Sequence, residues 1–283
     1  MTYQTLITCE QLAAHADDPD WVIFDCRFSL QDPAMGAQAY RFGHIAHARY
    51  ADLEKDLSGQ VTALTGRHPL PNLALLSKKL GHWGVANSKQ VVVYDDAGGV
   101  FASRFWWLFR LLGHDQVAVL DGGLDQWKRQ GRSLTTAIPI VRPASFRAYY
   151  DDTSLVTALQ LENLLAAKTI ALLDARVEER FTGETEPLDC VAGHVPGAVN
   201  HPFTRNLDAD KCFLPQAVLA EQFAALLTDT LAEQVVHMCG SGVTACHNML
   251  AMEYCELRGS RLYAGSWSEW IRDPNRPVTT VLA

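Results

Sequence analysis

Val235-Val236-His237-Met238-Cys239-Gly240-Ser241-Gly242-Val243-Thr244-Ala245 reads as a short apolar strand, a loop of small residues and the opening of a helix. The same plan stands 143 residues earlier, where Val92-Val93 matches Val235-Val236, Gly99-Val100 matches Gly242-Val243, Gly122 matches Gly265 and Trp127 matches Trp270. Toward the start of each copy the offset is 149 or 150, pairing Thr8 with Thr157, Phe24-Asp25-Cys26-Arg27 with Leu173-Asp174-Ala175-Arg176, and Gly43-His44 with Gly193-His194. Self-similarity at one period along most of the chain implies a duplicated structural unit, with loop insertions accounting for the drift.

Each copy alternates apolar strands with amphipathic helices, which predicts an α/β fold: two tandem domains, each a parallel sheet flanked by helices. In the second copy, strands are expected from Ile170 to Asp174, Gln234 to Met238 and Arg261 to Tyr263, with a helix from Thr244 to Leu257. The N-terminal domain is assigned to residues 1–135, a linker containing Pro139 and Pro143 to 136–154, and the C-terminal domain to 155–283.

The chain has 283 residues, 48% of them apolar and 20% charged, enough to bury two cores. A net charge of −8 argues against a nucleic-acid partner, since that affinity rests on clustered Lys and Arg. The start of the chain, from Met1 to Ile7, has no basic n-region, and apolar runs such as Gly99 to Gly113 are interrupted by charge at Arg104 and Arg110. No membrane span and a cytoplasmic location are therefore expected. Seven cysteines, an odd number with no Cys-x-x-Cys pair, point to reduced thiols. His44 with His47, and His194 with His201, lack further ligands at metal-site spacing, so neither metal nor cofactor is expected.

Cys239 ends its strand where open α/β sheets bind ligands. Gly240 and Gly242 let the backbone curl around the sulfur, so that amides from Gly240 to Thr244 and the helix N-terminus can face it. Such a field favours thiolate, the nucleophilic form. A cysteine phosphatase would need Arg at Cys-x5-Arg, and that position is Ala245. No strand is followed by a Gly-x-Gly-x-x-Gly or Gly-x4-Gly-Lys run, which disfavours a nucleotide enzyme.

Cys-Gly-Ser-Gly-Val-Thr-Ala at 239–245 resembles the active-site loop of the mercaptopyruvate sulfurtransferases, members of the rhodanese superfamily. Gly193-His194-Val195-Pro196-Gly197-Ala198, Leu120-Asp121-Gly122-Gly123 and Gly265-Ser266-Trp267-Ser268-Glu269-Trp270 are similar to family signatures too. The resemblance implies a persulfide on Cys239, loaded by a small-molecule donor and unloaded by a thiol, cyanide or thioredoxin-like acceptor. It also implies an N-terminal copy without the nucleophile, and an offset of 143 puts Asp96 at the place of Cys239. A non-enzymatic binding module is the rival reading, since rhodanese-like domains without the cysteine serve that way. That role suits the N-terminal copy alone.

By the same resemblance Arg180 binds the donor's carboxylate, while Gly240, Gly242, Val243 and Thr244 complete the loop that receives it. Relatives that use mercaptopyruvate often carry a second arginine about nine residues on; this chain has Asp189, as thiosulfate-using relatives do. Arg176 is expected to be structural, because its counterpart Arg27 lies in the copy without a nucleophile. Family members suggest a serine–histidine–aspartate proton relay, matched here to Ser241, His44 and Asp32. The uncharged loop after Cys239 favours 3-mercaptopyruvate over thiosulfate as donor.

Overall fold

The computed structural model describes residues 2–281, so Met1 in the N-terminal stretch read above lies outside them. Two compact units are present, each built mainly from one copy of the repeat, but each also takes in a short segment of the other half. Residues 60–69 belong to the second unit and residues 209–213 to the first.

The first unit runs β1 (Leu6–Ile7), α1 (Cys9–His15), β2 (Trp21–Asp25), α2 (Met35–Phe42), β3 (Arg49–Tyr50), α3 (Leu73–His82), β4 (Gln90–Tyr94), α4 (Val100–Leu111), β5 (Val117–Leu120) and α5 (Gly123–Arg129). Its sheet is parallel throughout, in the order β1-β5-β4-β2-β3. The second unit runs α6 (Ala158–Ala166), β6 (Ala171–Asp174), α7 (Glu178–Thr182), β7 (Val199–Asn200), α8 (Gln216–Leu227), β8 (Val235–Met238), α9 (Thr244–Tyr254), β9 (Arg261–Leu262) and α10 (Ser266–Trp270). Its parallel sheet has the order β7-β6-β8-β9, which repeats β3-β2-β4-β5. Leu155 bridges to Leu262 where β1 pairs in the first unit.

Local chemistry repeats with the topology. Thr8 and Thr157 each start a helix with a reciprocal capping box: the threonine hydroxyl accepts from the amide of Gln11 or Gln160, whose side chain accepts from the threonine amide in return. Period-two alternation sends Val236 and Met238 of β8 into a core with Val156, Leu161, Leu172, Tyr263, Trp267 and Trp270. Val92 and Tyr94 of β4 do the same among Ile7, Leu12, Ile23, Ala118, Leu120 and Trp127. α9 is buried along its length from Ala245 to Met252, so it forms interior rather than surface.

The aspartate that ends β2 or β6 holds an arginine two residues on. Arg27 Nη2 donates to Asp25 at 2.6 Å and to the Gly43 carbonyl at 2.7 Å; Arg176 Nη2 donates to Asp174 at 2.7 Å and to the Gly193 carbonyl at 2.9 Å. These buried pairs tie the strand end to the Gly-His turn in both units, so Arg176 has the structural work expected of it.

Candidate active site

β8 delivers Cys239 to the carboxyl edge of the second sheet, where its side chain is 2% exposed. The residue is held by three hydrogen bonds, one of them to the thiol. The Gly242 amide donates to Sγ at 3.1 Å, the Cys239 amide donates to Ser266 Oγ at 3.1 Å, and the Cys239 carbonyl accepts from the Trp267 amide at 2.9 Å. Gly242 has φ +79°, and a Cβ there would meet the Ala264 carbonyl oxygen at 2.3 Å, so only glycine fits the turn. Ser266 is itself left-handed, at φ 53°, and its hydroxyl passes the hydrogen bond on to the Tyr263 carbonyl. α9 begins at Thr244 with Val243 before it, which aims the positive end of an eleven-residue helix at the loop.

The first unit explains what this loop is for. Strand register sets Asp25 beside Tyr94 and Asp174 beside Met238, so Asp95, not Asp96, stands where Cys239 does; the ungapped offset was one residue short. Gly98 and Gly242 then coincide, both left-handed at φ 74° and 79°. Asp95 is fully buried, and its carboxylate accepts from the amides of Ala97, Gly99, Phe101 and Ala102 at 2.8–2.9 Å. At this corner the first unit closes four amides on a carboxylate, and the second turns the Gly242 amide onto a thiol.

Around Cys239 the second unit gathers Arg180 from its own half of the chain and Arg67 and His68 from the other. His68, 4% exposed, places Nδ1 2.8 Å from Ser241 Oγ. Arg67 is anchored by its amide on Ser268 Oγ at 3.0 Å, and its guanidinium pairs with Asp189. Arg180, on α7, donates from Nε to Glu186 at 3.0 Å and from Nη2 to Asp189 at 3.0 Å. A Cβ on Gly240 would meet Arg67 Nη2 at 2.9 Å and Arg180 Nη1 at 3.2 Å, so two guanidiniums converge on the residue after Cys239.

The structure brings His68, and not His44, to Ser241. His44 is fully buried in the first unit, with Nδ1 2.7 Å from the Tyr40 carbonyl, Nε2 3.2 Å from the Ala137 carbonyl and its ring stacked on Tyr40. Its repeat partner His194 does the same against the Phe181 carbonyl and ring, so both histidines brace a turn. Asp32 caps the turn before α2 by accepting from the Ala34 amide at 3.0 Å. His237, two residues before Cys239, is no proton source either: burial, with a smaller contribution from His201, pushes its pKa down to about 3 and keeps the ring neutral. His247 faces Asn206 rather than the sulfur.

Among the described residues no cluster of His, Cys, Asp and Glu could hold a metal ion, and no helix is long and apolar enough to cross a membrane.

The rhodanese-like domain family model matches this chain twice, at residues 8–130 and 157–273. A Pseudomonas aeruginosa protein named "Probable 3-mercaptopyruvate sulfurtransferase" is 50% identical over 282 residues, 99% of each chain. Thiosulfate sulfurtransferase from Rattus norvegicus is 31% identical, covering 95% of this chain and 93% of its own. The crystal structure of SseA from Escherichia coli, titled a 3-mercaptopyruvate sulfotransferase of the "Rhodanese" fold, superposes with a TM-score of 0.81 at 30% identity, covering 94% of this chain and all of that one. With both halves matched, and with relatives alike over nearly their whole length, the chain belongs to the rhodanese family as a tandem-domain sulfurtransferase.

Proposed function

We propose that the protein moves sulfane sulfur from 3-mercaptopyruvate, through a persulfide on Cys239, to a thiol, cyanide or a thioredoxin-like protein, releasing pyruvate. The observation that carries this reading is the placement of the Cys239 sulfur under the Gly242 amide, with Ser241 of the same loop paired to His68. In the first step the thiolate attacks the donor's sulfur, and the electron pair of the broken carbon–sulfur bond leaves with the pyruvate enolate. That carbon needs a proton, which Ser241 can pass on with His68 behind it. The sulfur stays on Cys239 as a persulfide whose negative charge the Gly242 amide and the α9 N-terminus stabilise. An acceptor thiolate or cyanide then attacks the outer sulfur, and the sulfur–sulfur bond returns its pair to Cys239. Arg180 and Arg67 serve as the grip for the donor's carboxylate.

Donor choice follows from leaving groups. Thiosulfate would release sulfite, which carries the departing pair without protonation and gains most from positive charge beside the nucleophile. The loop at Gly240 and Ser241 brings no charge of its own, while it does bring a proton path. The Pseudomonas aeruginosa relative, 50% identical over 282 residues, carries the mercaptopyruvate name, which supports the same choice. The value of kcat/KM measured for both donors with one acceptor should favour 3-mercaptopyruvate; a preference for thiosulfate would overturn this donor assignment. Arg180→Ala should raise the donor KM by about 10- to 100-fold, since a charge-assisted hydrogen bond is worth roughly 1.5–3 kcal/mol. Steady-state kinetics indistinguishable from the parent would remove Arg180 from the binding site. All seven cysteines are free thiols, which suits a reducing cytoplasm, where we place the protein.

A further inference from the structure

The start of α10 holds two separate pieces of the chain at once. On one side, Ser266 Oγ accepts from the Cys239 amide at 3.1 Å, and the amides of Trp267 and Ser268 donate to the carbonyls of Cys239 and Gly240 at 2.9 Å. On the other side, Ser268 Oγ accepts from the Arg67 amide at 3.0 Å and donates to the Gly265 carbonyl at 3.4 Å. Gly66 packs so closely here that a Cβ on it would meet the Gly265 carbonyl oxygen at 2.6 Å and Ser268 Oγ at 2.7 Å. Just past α10, Arg272 Nε donates to the Thr65 carbonyl at 3.3 Å. Ser268 is thus a joint: its amide holds Gly240, next to Ser241, and its hydroxyl holds Arg67, next to His68. We propose that Ser268 is a positioning residue for proton transfer, tying the nucleophile loop to the 65–68 segment so that Ser241 Oγ meets His68 Nδ1. The proposal rests on the reading that Ser241 and His68 bring a proton to the pyruvate leaving group.

The need for such a joint follows from the origin of the pair. Ser241 and His68 stand 173 positions apart, yet their polar atoms lie 2.8 Å from each other. Proton transfer depends on that reach, and its rate falls steeply with small displacements. The 65–68 segment has no helix or strand to fix it, so its place is set by what it is seated on. Ser268 is 1% exposed, and removing its hydroxyl leaves the Arg67 amide without its acceptor. Alanine at 268 keeps the amide that holds Gly240, so the change falls on the histidine side of the joint and spares the loop of Cys239.

The test is steady-state kinetics of the full chain in Ser268→Ala, His68→Gln and the double variant, with 3-mercaptopyruvate and with thiosulfate. Ser268→Ala should lower kcat about tenfold with 3-mercaptopyruvate, as for a proton donor moved slightly out of line. With thiosulfate the change should stay below about twofold, because sulfite departs without a proton. Placed in the His68→Gln protein, Ser268→Ala should cost nothing further, since a residue that acts only through another has no separate effect once that one is gone. Gly66→Ala forces the same contact apart from the other side and should show the same split between donors, which keeps the test open should Ser268→Ala fail to fold. Parental kinetics in a folded variant, a change in KM alone, an equal fall with both donors, or full additivity with His68→Gln would overturn the proposal and leave Ser268 as a structural prop. A His68→Gln protein with parental kcat would defeat the proton-transfer reading and this proposal with it. An impaired His68→Gln protein beside any of the other failures defeats this proposal alone.

Discussion

Cys239→Ser is expected to abolish sulfur transfer from every donor, a loss of at least about 10³-fold, as when other covalent catalysts lose their nucleophile. An alcohol at that point is a far weaker nucleophile than a thiolate, and its oxygen cannot carry sulfane sulfur. The fold should not notice. Serine is nearly the same size, the contacts that hold residue 239 to Ser266 and Trp267 are backbone ones, and the Gly242 amide can donate to an oxygen as it does to Sγ. Release of pyruvate or thiocyanate, measured beside a thermal melt, checks both halves of this expectation. Substantial activity in a well-folded Cys239→Ser protein would remove the persulfide from the mechanism.

The second large effect is expected at His68. Replacement by glutamine keeps a polar group near Ser241 but takes away the imidazole that can hold and return a proton. With 3-mercaptopyruvate, kcat should fall about 10²- to 10³-fold, within the usual range for loss of general acid–base assistance. With thiosulfate it should change little, because sulfite departs without needing a proton. The split between donors separates a chemical role from a packing role. An equal fall with both donors would mean that His68 only supports the Ser241 loop.

His68 and Arg67 also mark the limit of what the sequence discloses. Strand–loop–helix order, the duplication and the nest at Cys239 are all local patterns, and the observed strands fall within a residue of expectation: β6 at Ala171–Asp174, β8 at Val235–Met238 and β9 at Arg261–Leu262. The helix after the loop ends three residues early, at Tyr254, because the chain turns left-handed at Glu256, φ 65°. Gly66-Arg67-His68-Pro69, in contrast, has no periodicity and no repeat partner, and it meets residues more than a hundred positions away. Nothing in its spacing says that a segment of the first half joins the second unit. His44 entered the relay through the resemblance alone; the Gly-His pair recurs in both halves, and repetition is what a turn brace needed twice produces. The one-residue slip from Asp95 to Asp96 has a similar source, since an ungapped alignment cannot see the register that parallel pairing enforces.

In the proposed reaction sulfur rests covalently on Cys239 between donor and acceptor. This is tested most directly by intact-protein mass spectrometry after brief exposure to 3-mercaptopyruvate without acceptor, followed by peptide mapping. The expected result is a gain of one sulfur atom per chain, located at Cys239, lost again on adding cyanide or a thiol and absent from Cys239→Ser. An unmodified mass while pyruvate is released, or an added sulfur located on another of the seven cysteines, would contradict it.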